Sequence, residues 1–317
     1  MQIRKAAAVM KPSPSLILAA VLLVLFMTMT MLVYRDYMAI ATPPQPADAT
    51  AQAPAPISTG DTIHVGVISR FSPNLIYEGY QPIMEYLSRA CGRPFALKLG
   101  SHYEETITQL DQGTIQAAFL GTYLYLRARQ HHPIRCILKP LNSQFAPYFH
   151  SVLIVRSDSP ITSIAGLKGK RLALPSPLSF SGNWLLGYEL ARHGLMVSDL
   201  DSVHYFGFHH TVIYQVLLGH FDAGAVKDRV AEEFAGKGIR IIATSGPVPG
   251  SPFIVRKDLD PALIAAITTA LLRIDVRQPG WKDLVRDWDA EFAYGFAPAS
   301  DRDYDAMAAI FRLEVKP

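Results

Sequence analysis

Ser151-Val152-Leu153-Ile154-Val155-Arg156 is an apolar run of strand length that stands between two regions of similar character, and its reading decides the fold. Before it, apolar runs at 63–68, 95–99, 115–120 and 134–138 alternate with helical stretches, the first at 81–90 and stopped by Gly92. After it, strands are expected at 171–174, 203–206, 221–226 and 239–243. Such alternation predicts parallel-rich sheets covered by helices. The run at 151–156 is then the crossing from one α/β lobe to a second. Residues 253–256 bring the chain back, and the helical stretches 261–274 and 304–313 pack on the first lobe. The expected division is 61–149 plus 252–317 for lobe 1 and 150–251 for lobe 2, with the two crossings forming a hinge. Leu110-Asp111-Gln112-Gly113-Thr114-Ile115-Gln116-Ala117-Ala118-Phe119 resembles Leu217-Leu218-Gly219-His220-Phe221-Asp222-Ala223-Gly224-Ala225-Val226. Each reads as a helix end, a Gly turn and a buried strand. Two alike lobes explain this, and so does the general liking of helix C-caps for Gly.

At 317 residues the chain has material for about two domains. Half of it is hydrophobic, and the mean hydropathy of +0.16 is high for a soluble protein. Much of that excess lies at the front, where 15–33 is uncharged and long enough as a helix to cross a bilayer core of about 30 Å. Arg4, Lys5 and Lys11 precede it, so the positive-inside bias leaves 1–14 in the cytoplasm and exports the bulk of the chain. A cleaved signal peptide is the competing reading, since Ala39-Ile40-Ala41 offers a cleavage site, but the stretch exceeds the usual apolar region of about 7–15 residues. The expectation is a single-pass anchor at 15–34 in the cytoplasmic membrane, with the binding domain in the periplasm. The Pro- and Ala-rich segment 42–60 favours extended conformations and reads as a tether.

Residues 1–41 carry four basic side chains and one acidic; subtracting these from 30 and 27 leaves 26 of each. A neutral exported part offers no footprint for nucleic acid. Cys91 and Cys136 fit either one disulfide or two buried thiols.

The segment richest in chemistry is Pro175-Ser176-Pro177-Leu178-Ser179-Phe180-Ser181-Gly182-Asn183, which comes after an expected strand and opens a helix. Ser179 and Ser181 are good N-cap residues, so ordinary capping accounts for the segment alone. A helix start also presents unpaired N–H groups and partial positive charge, which with adjacent hydroxyls makes an anion site without Lys or Arg.

In order and spacing, the exported region from about 62 to 275 resembles the phosphate/phosphite/phosphonate-binding proteins of ABC importers, of the periplasmic-binding-protein type II fold. The resemblance rests on His64-Val65-Gly66-Val67, Tyr80-Gln81-Pro82-Ile83, Ala117-Ala118-Phe119-Leu120-Gly121 and Tyr148-Phe149-His150-Ser151-Val152-Leu153-Ile154-Val155. It continues through 158–161 and 167–170 to Ser179-Phe180-Ser181-Gly182 and Phe208-His209-His210-Thr211. It implies an oxyanion on Ser179, the Phe180 N–H and Ser181, with Tyr103, Tyr148 and His209 closing on it and His210 beside them. Taken singly, the tyrosines also read as surface or hinge aromatics and the His pair as an exposed helix start. Phe180 departs from the family's Thr and removes one hydroxyl. Where members that bind amino-alkyl phosphonates carry acidic residues, alignment finds Arg229 and Ser251, which disfavours a ligand ammonium. The resemblance thus implies phosphate, phosphite, or a phosphonate with an acidic or neutral substituent.

The implied partner is an ABC permease; an anchored sensing domain speaking to a membrane kinase or cyclase is the alternative. No cofactor is expected. His204, His209, His210, His220, His131 and His132 invite a metal, but adjacent His pairs on a helix diverge, so no metal site is expected. Cys136 or a Ser–His pair raises an enzyme reading, yet no nucleophile elbow, phosphate-cradling loop or metalloprotease motif is present.

Overall fold

Each apolar run becomes a strand, and the alternation of side chains along it decides which core it feeds. The computed structural model describes residues 14, 23–31 and 62–313. It divides into two units, Met1–Ala53 and Pro54–Pro317. In the first unit residues 23–31 are helical with exposed side chains, and among the described residues no helix is long and apolar enough to cross a membrane. The rest of the expected anchor at 15–34, the tether at 42–60 and all of 1–14 except residue 14 lie outside the described residues.

In the second unit β1 (Ile63–Val67), β2 (Phe95–Leu99), β3 (Ala117–Phe119) and β4 (Ile134–Pro140) come before the crossing. Next come β5 (Tyr148–Phe149), β6 (Ser151–Arg156), β7 (Arg171–Leu174), β8 (Ser202–Tyr205), β9 (Ala223–Lys227) and β10 (Ile239–Thr244). The chain returns through β11 (Val248–Pro249) and β12 (Phe253–Arg256) and ends its strands with β13 (Phe296–Pro298). A six-stranded sheet has the order β13-β4-β12-β3-β1-β2 and a five-stranded sheet the order β10-β6-β9-β7-β8. The two crossing segments pair with each other, Phe149 opposite Val248 and Tyr148 opposite Pro249.

The sheets are built alike. In the first, β1 runs parallel to β2 and β3, and β3 is flanked on its other side by antiparallel β12. In the second, β7 runs parallel to β8 and β9, and β9 is flanked by antiparallel β6. The similar stretches 110–119 and 217–226 therefore lead into topologically equivalent strands, β3 and β9. Gly113 and Gly219 both hold positive φ, 69° and 73°, where a side chain would be strained.

Alternation sends Val65, Phe119 and Phe253 to one core and Ala118 and Ile254 to another on the opposite face. In the second sheet Leu153 and Val155 face one core, Val152 and Ile154 the other. The first helix, Pro73–Cys91, starts earlier than expected and runs through Pro82. Its buried Ile76, Tyr80, Ile83, Met84 and Leu87 recur at helical spacing, and that packing outweighs the roughly 3 kcal/mol an interior Pro costs. At the other end the stretch expected as one helix is a short 3₁₀ turn, Asp301–Tyr304, continued by Asp305–Ile310. Cys91 and Cys136 are both free thiols.

Candidate functional site

In both sheets the parallel strands deliver their succeeding loops to one cavity, as expected for ligand sites outside the carboxyl ends of strands. Arg70 comes after β1, Tyr103 after β2, and Gly121 with Thr122 after β3. From the other sheet, Ser179–Ser181 come after β7, His209 after β8, and Lys227 is the last residue of β9. Together with Phe149 and Ser251 of the crossing region these residues wall a cavity of about 40 Å³. That exceeds the ~10–15 Å³ a single water needs, so the cavity has room for more than one water-sized group.

Nearly every polar group in the wall is a donor. Phe180 is the first residue of the helical run, and Ser179, in extended conformation as its N-cap, makes no side-chain capping bond. The backbone N–H groups of that first turn have no partner within the helix. The Phe180 ring packs against Phe149 and Phe311, so this residue brings the cavity its N–H rather than a polar side chain. Ser181 is 1 % exposed, and its Oγ lies 2.7 Å from Ser151 Oγ of β6. With Ser151 donating, the Ser181 proton is free for another acceptor. Tyr103 is buried, and burial pushes its phenol well above the ordinary range, so it stays protonated.

His209 is held by geometry in one tautomer. The Lys227 backbone N–H donates to its Nδ1 at 3.2 Å, which leaves the proton on Nε2. Burial, reinforced by Lys227, Arg70 and Arg229, pulls its pKa down to about 3, so the ring is a neutral donor. Gly224 makes this placement possible. A Cβ there would sit 2.6 Å from Val212 Cγ1, so only glycine lets the helix His209–Leu217 lie close on β9.

The charged part of the site was not legible from motifs. Arg70, Lys227 and Glu291 are all buried. Arg70 binds Glu291 through Nη1 and, through Nη2, the Tyr80 hydroxyl at 2.6 Å and Asp289 Oδ1 at 3.2 Å. Lys227 Nζ binds the other Glu291 oxygen, lies 3.4 Å from Ser251 Oγ and sits 4.1 Å from the centre of the Phe149 ring. Burial opposes the Glu291 charge, but Arg70 and Lys227 outweigh it and hold the carboxyl well below the usual range. Burial lowers the Lys227 pKa, and Glu291 works against that. Two cations thus face two carboxylates. One donor is left over: Arg70 Nε is buried without a hydrogen-bond partner.

The structure brings Tyr103, Ser179, Phe180, Ser181, His209 and Ser251 of the expected residues into this cavity. It places three others elsewhere. Tyr148 is 39 % exposed and, with Arg229, lines a neighbouring chamber. His210 binds Glu233 at 2.7 Å at the surface, and Arg229 binds the same carboxylate at 2.9 Å. Among the described residues no cluster of His, Cys, Asp and Glu is arranged to hold a metal ion.

The family model described as "ABC transporter, phosphonate, periplasmic substrate-binding protein" matches residues 65–304, three quarters of the chain. The chain belongs to this family. Among relatives of the phosphonate-binding family, the phosphate-import protein PhnD of Mycolicibacterium smegmatis is 24% identical over 275 residues, 78% of this chain and 84% of that one. The phosphonates-binding periplasmic protein of Escherichia coli is 24% identical over 241 residues, 72% and 68% of the two chains. The fold is similar to that of PhnD1 from Prochlorococcus marinus, solved in complex with methylphosphonate, with a TM-score of 0.70, 19% identity, and coverage of 79% of this chain and 97% of that one. Members of this phosphonate-binding family are substrate-binding components of ABC importers. Arg70, Lys227 and Glu291 are the residues that sequence reasoning missed. The signal for the two cations was positional: a charged residue ending or closely succeeding a buried strand at the carboxyl edge of the sheet.

Proposed function

We propose that the chain captures a phosphorus oxyanion, either phosphate, phosphite or a small phosphonate, between two lobes and presents it to an ABC permease. The lobes are 61–149 plus 252–317 and 150–251, with the paired crossings β5 and β11 as the hinge. Residues 15–34 serve as a membrane anchor and 42–60 as the tether that keeps the binding domain at the periplasmic face.

The observation that carries this reading is the donor-rich wall, above all Arg70, whose Nε has no partner and which lines the same cavity as the helix start at Phe180. An unpaired buried donor is costly unless an acceptor visits it. An oxyanion has acceptors on every face and satisfies several such donors at once. Ser179, Ser181, Tyr103 and the Nε2–H of His209 supply further donors, from both sheets. A ligand bridging them links the lobes, which is how closure becomes the signal a permease reads.

The test is calorimetric titration of the full chain, purified free of ligand, with phosphate, phosphite, methylphosphonate and sulfate. Tight binding of a phosphorus oxyanion in preference to sulfate is expected. A folded chain that binds none of the phosphorus oxyanions refutes the proposal.

A further inference from the structure

Two cavities meet at two side chains. The anion cavity and a larger neighbour of about 130 Å³ share Phe149 and Lys227 in their walls and no other residue. The neighbour extends past Glu291 toward Asn142 and Tyr148. The Lys227 ammonium sits at this partition on a carboxylate, Glu291, a hydroxyl, Ser251, and an aromatic face, Phe149. A carboxylate and a π-face at such distances are what recognises an organic ammonium ion. Here the chain's own lysine takes that place, with its backbone N–H fixed on His209 Nδ1.

We infer that Lys227 is the specificity-determining residue of the site. It closes the anion cavity at head-group size and fills the position a ligand ammonium would need, so the ligands are unsubstituted or methyl-substituted phosphorus oxyanions and amino-substituted phosphonates are excluded. This rests on the function proposed above. Arg229, two residues further on, is not the determinant, because it lies outside the anion cavity and is bound to Glu233. A ligand ammonium entering beside Lys227 finds Glu291 already shared by two cations, and a second buried cation without a carboxylate of its own is disfavoured. Removing the lysine side chain joins the two cavities and frees one Glu291 oxygen, creating space and charge for an ammonium carried two carbons from phosphorus.

Calorimetry of the full chain with methylphosphonate and aminoethylphosphonate tests this. The natural chain prefers methylphosphonate by about a hundredfold or more, and Lys227→Ala shifts that ratio toward aminoethylphosphonate by about tenfold or more. A gain of binding cannot come from damaged folding. Lys227→Met, which removes the charge but keeps the partition filled, leaves aminoethylphosphonate excluded. A Lys227→Ala chain that binds methylphosphonate with an unchanged ratio overturns the inference alone. So does a natural chain that binds both ligands equally, a result that needs no variant to fold. If the natural chain binds no phosphorus oxyanion at all, the proposed function fails and this inference with it.

Discussion

Replacing Arg70 by Lys separates the two things this side chain does. The guanidinium joins Glu291, Asp289 and the Tyr80 hydroxyl through its two terminal nitrogens, while Nε is buried and unpartnered in a residue that lines the cavity. Lys keeps the charge and donors for the carboxylates but has no second donor nearer the backbone. If Nε–H meets the ligand, the variant loses one charge-assisted hydrogen bond, about 1.5–3 kcal/mol, so affinity falls roughly 10- to 150-fold. The fold loses a comparable amount: Tyr80 is 1 % exposed, and leaving its hydroxyl unpaired costs about 1–3 kcal/mol of a stability that urea titration measures directly. Calorimetry with phosphate and methylphosphonate, run beside urea unfolding, separates the two effects. Arg129 is the control, being half-buried and bound to Asp305 at 2.8 Å and the Asp301 carbonyl at 2.6 Å, and lying outside the cavity wall. Arg129→Lys should cost stability and leave affinity alone. A folded Arg70→Lys chain whose affinity stays within about twofold of the natural value refutes the assignment of Nε to the ligand.

Ser181→Ala should weaken anion binding by roughly 10-fold or more and cost about 1–2 kcal/mol of stability, because Ser151 Oγ loses its partner; calorimetry and urea melts check both. Glu291→Gln leaves Lys227 as a buried ammonium without a carboxylate and should destabilise the fold by about 3–5 kcal/mol, read from the urea midpoint. The imidazole of His209 has a folded-state pKa of about 3 against an ordinary 6.5, so its contribution to stability is full above pH 6.5 and falls as pH drops toward 3. From pH 6.5 to about pH 4 that loss is at most about 3 kcal/mol, and His209→Gln should flatten the ligand-free thermal melting profile across this window.

The fold was legible in the sequence because strands buried on both faces are written as local apolar runs, and 151–156 needs no distant partner to be recognised. The helix start at Ser179–Ser181 was legible for the same reason, since capping chemistry is local. Arg70, Lys227 and Glu291 were not, because a charged residue reads as surface until its partner is known. Here the partners lie 221 and 64 residues apart in the chain. The three expected residues that lie outside this cavity are near neighbours of residues that line it. Tyr148 and Phe149 are consecutive in β5, where successive side chains point to opposite faces, and Phe149 is the one that reaches the anion cavity. His209 and His210 open one helix about 100° apart, so one turns to Lys227 and the other to Glu233. Alignment pointed to Arg229, but the side chain that lines the cavity in this segment is that of Lys227, at the last position of β9.

The placement of the Lys227–Glu291 pair bears on how the proposed ligand would be held. Lys227 ends a strand of the five-stranded sheet, whereas Glu291 packs with Arg70, which lies just beyond β1 of the six-stranded sheet. Drawing the sheets together strips water from both ions, and that desolvation largely cancels their attraction, so the pair adds little net free energy to closure. Its effect is register: Nζ can meet Glu291 and Ser251 together in few arrangements of the two sheets. The net attraction must then come from a group that satisfies donors otherwise left unpaired. The helix start at Phe180 and the hydroxyl of Ser181 lie on one sheet's loops, and Arg70 Nε with the Tyr103 phenol lies on the other's. An oxyanion between them would accept from donors on both sides, the unpartnered Arg70 Nε among them, without adding a buried carboxylate. A cation of similar size accepts from none of them.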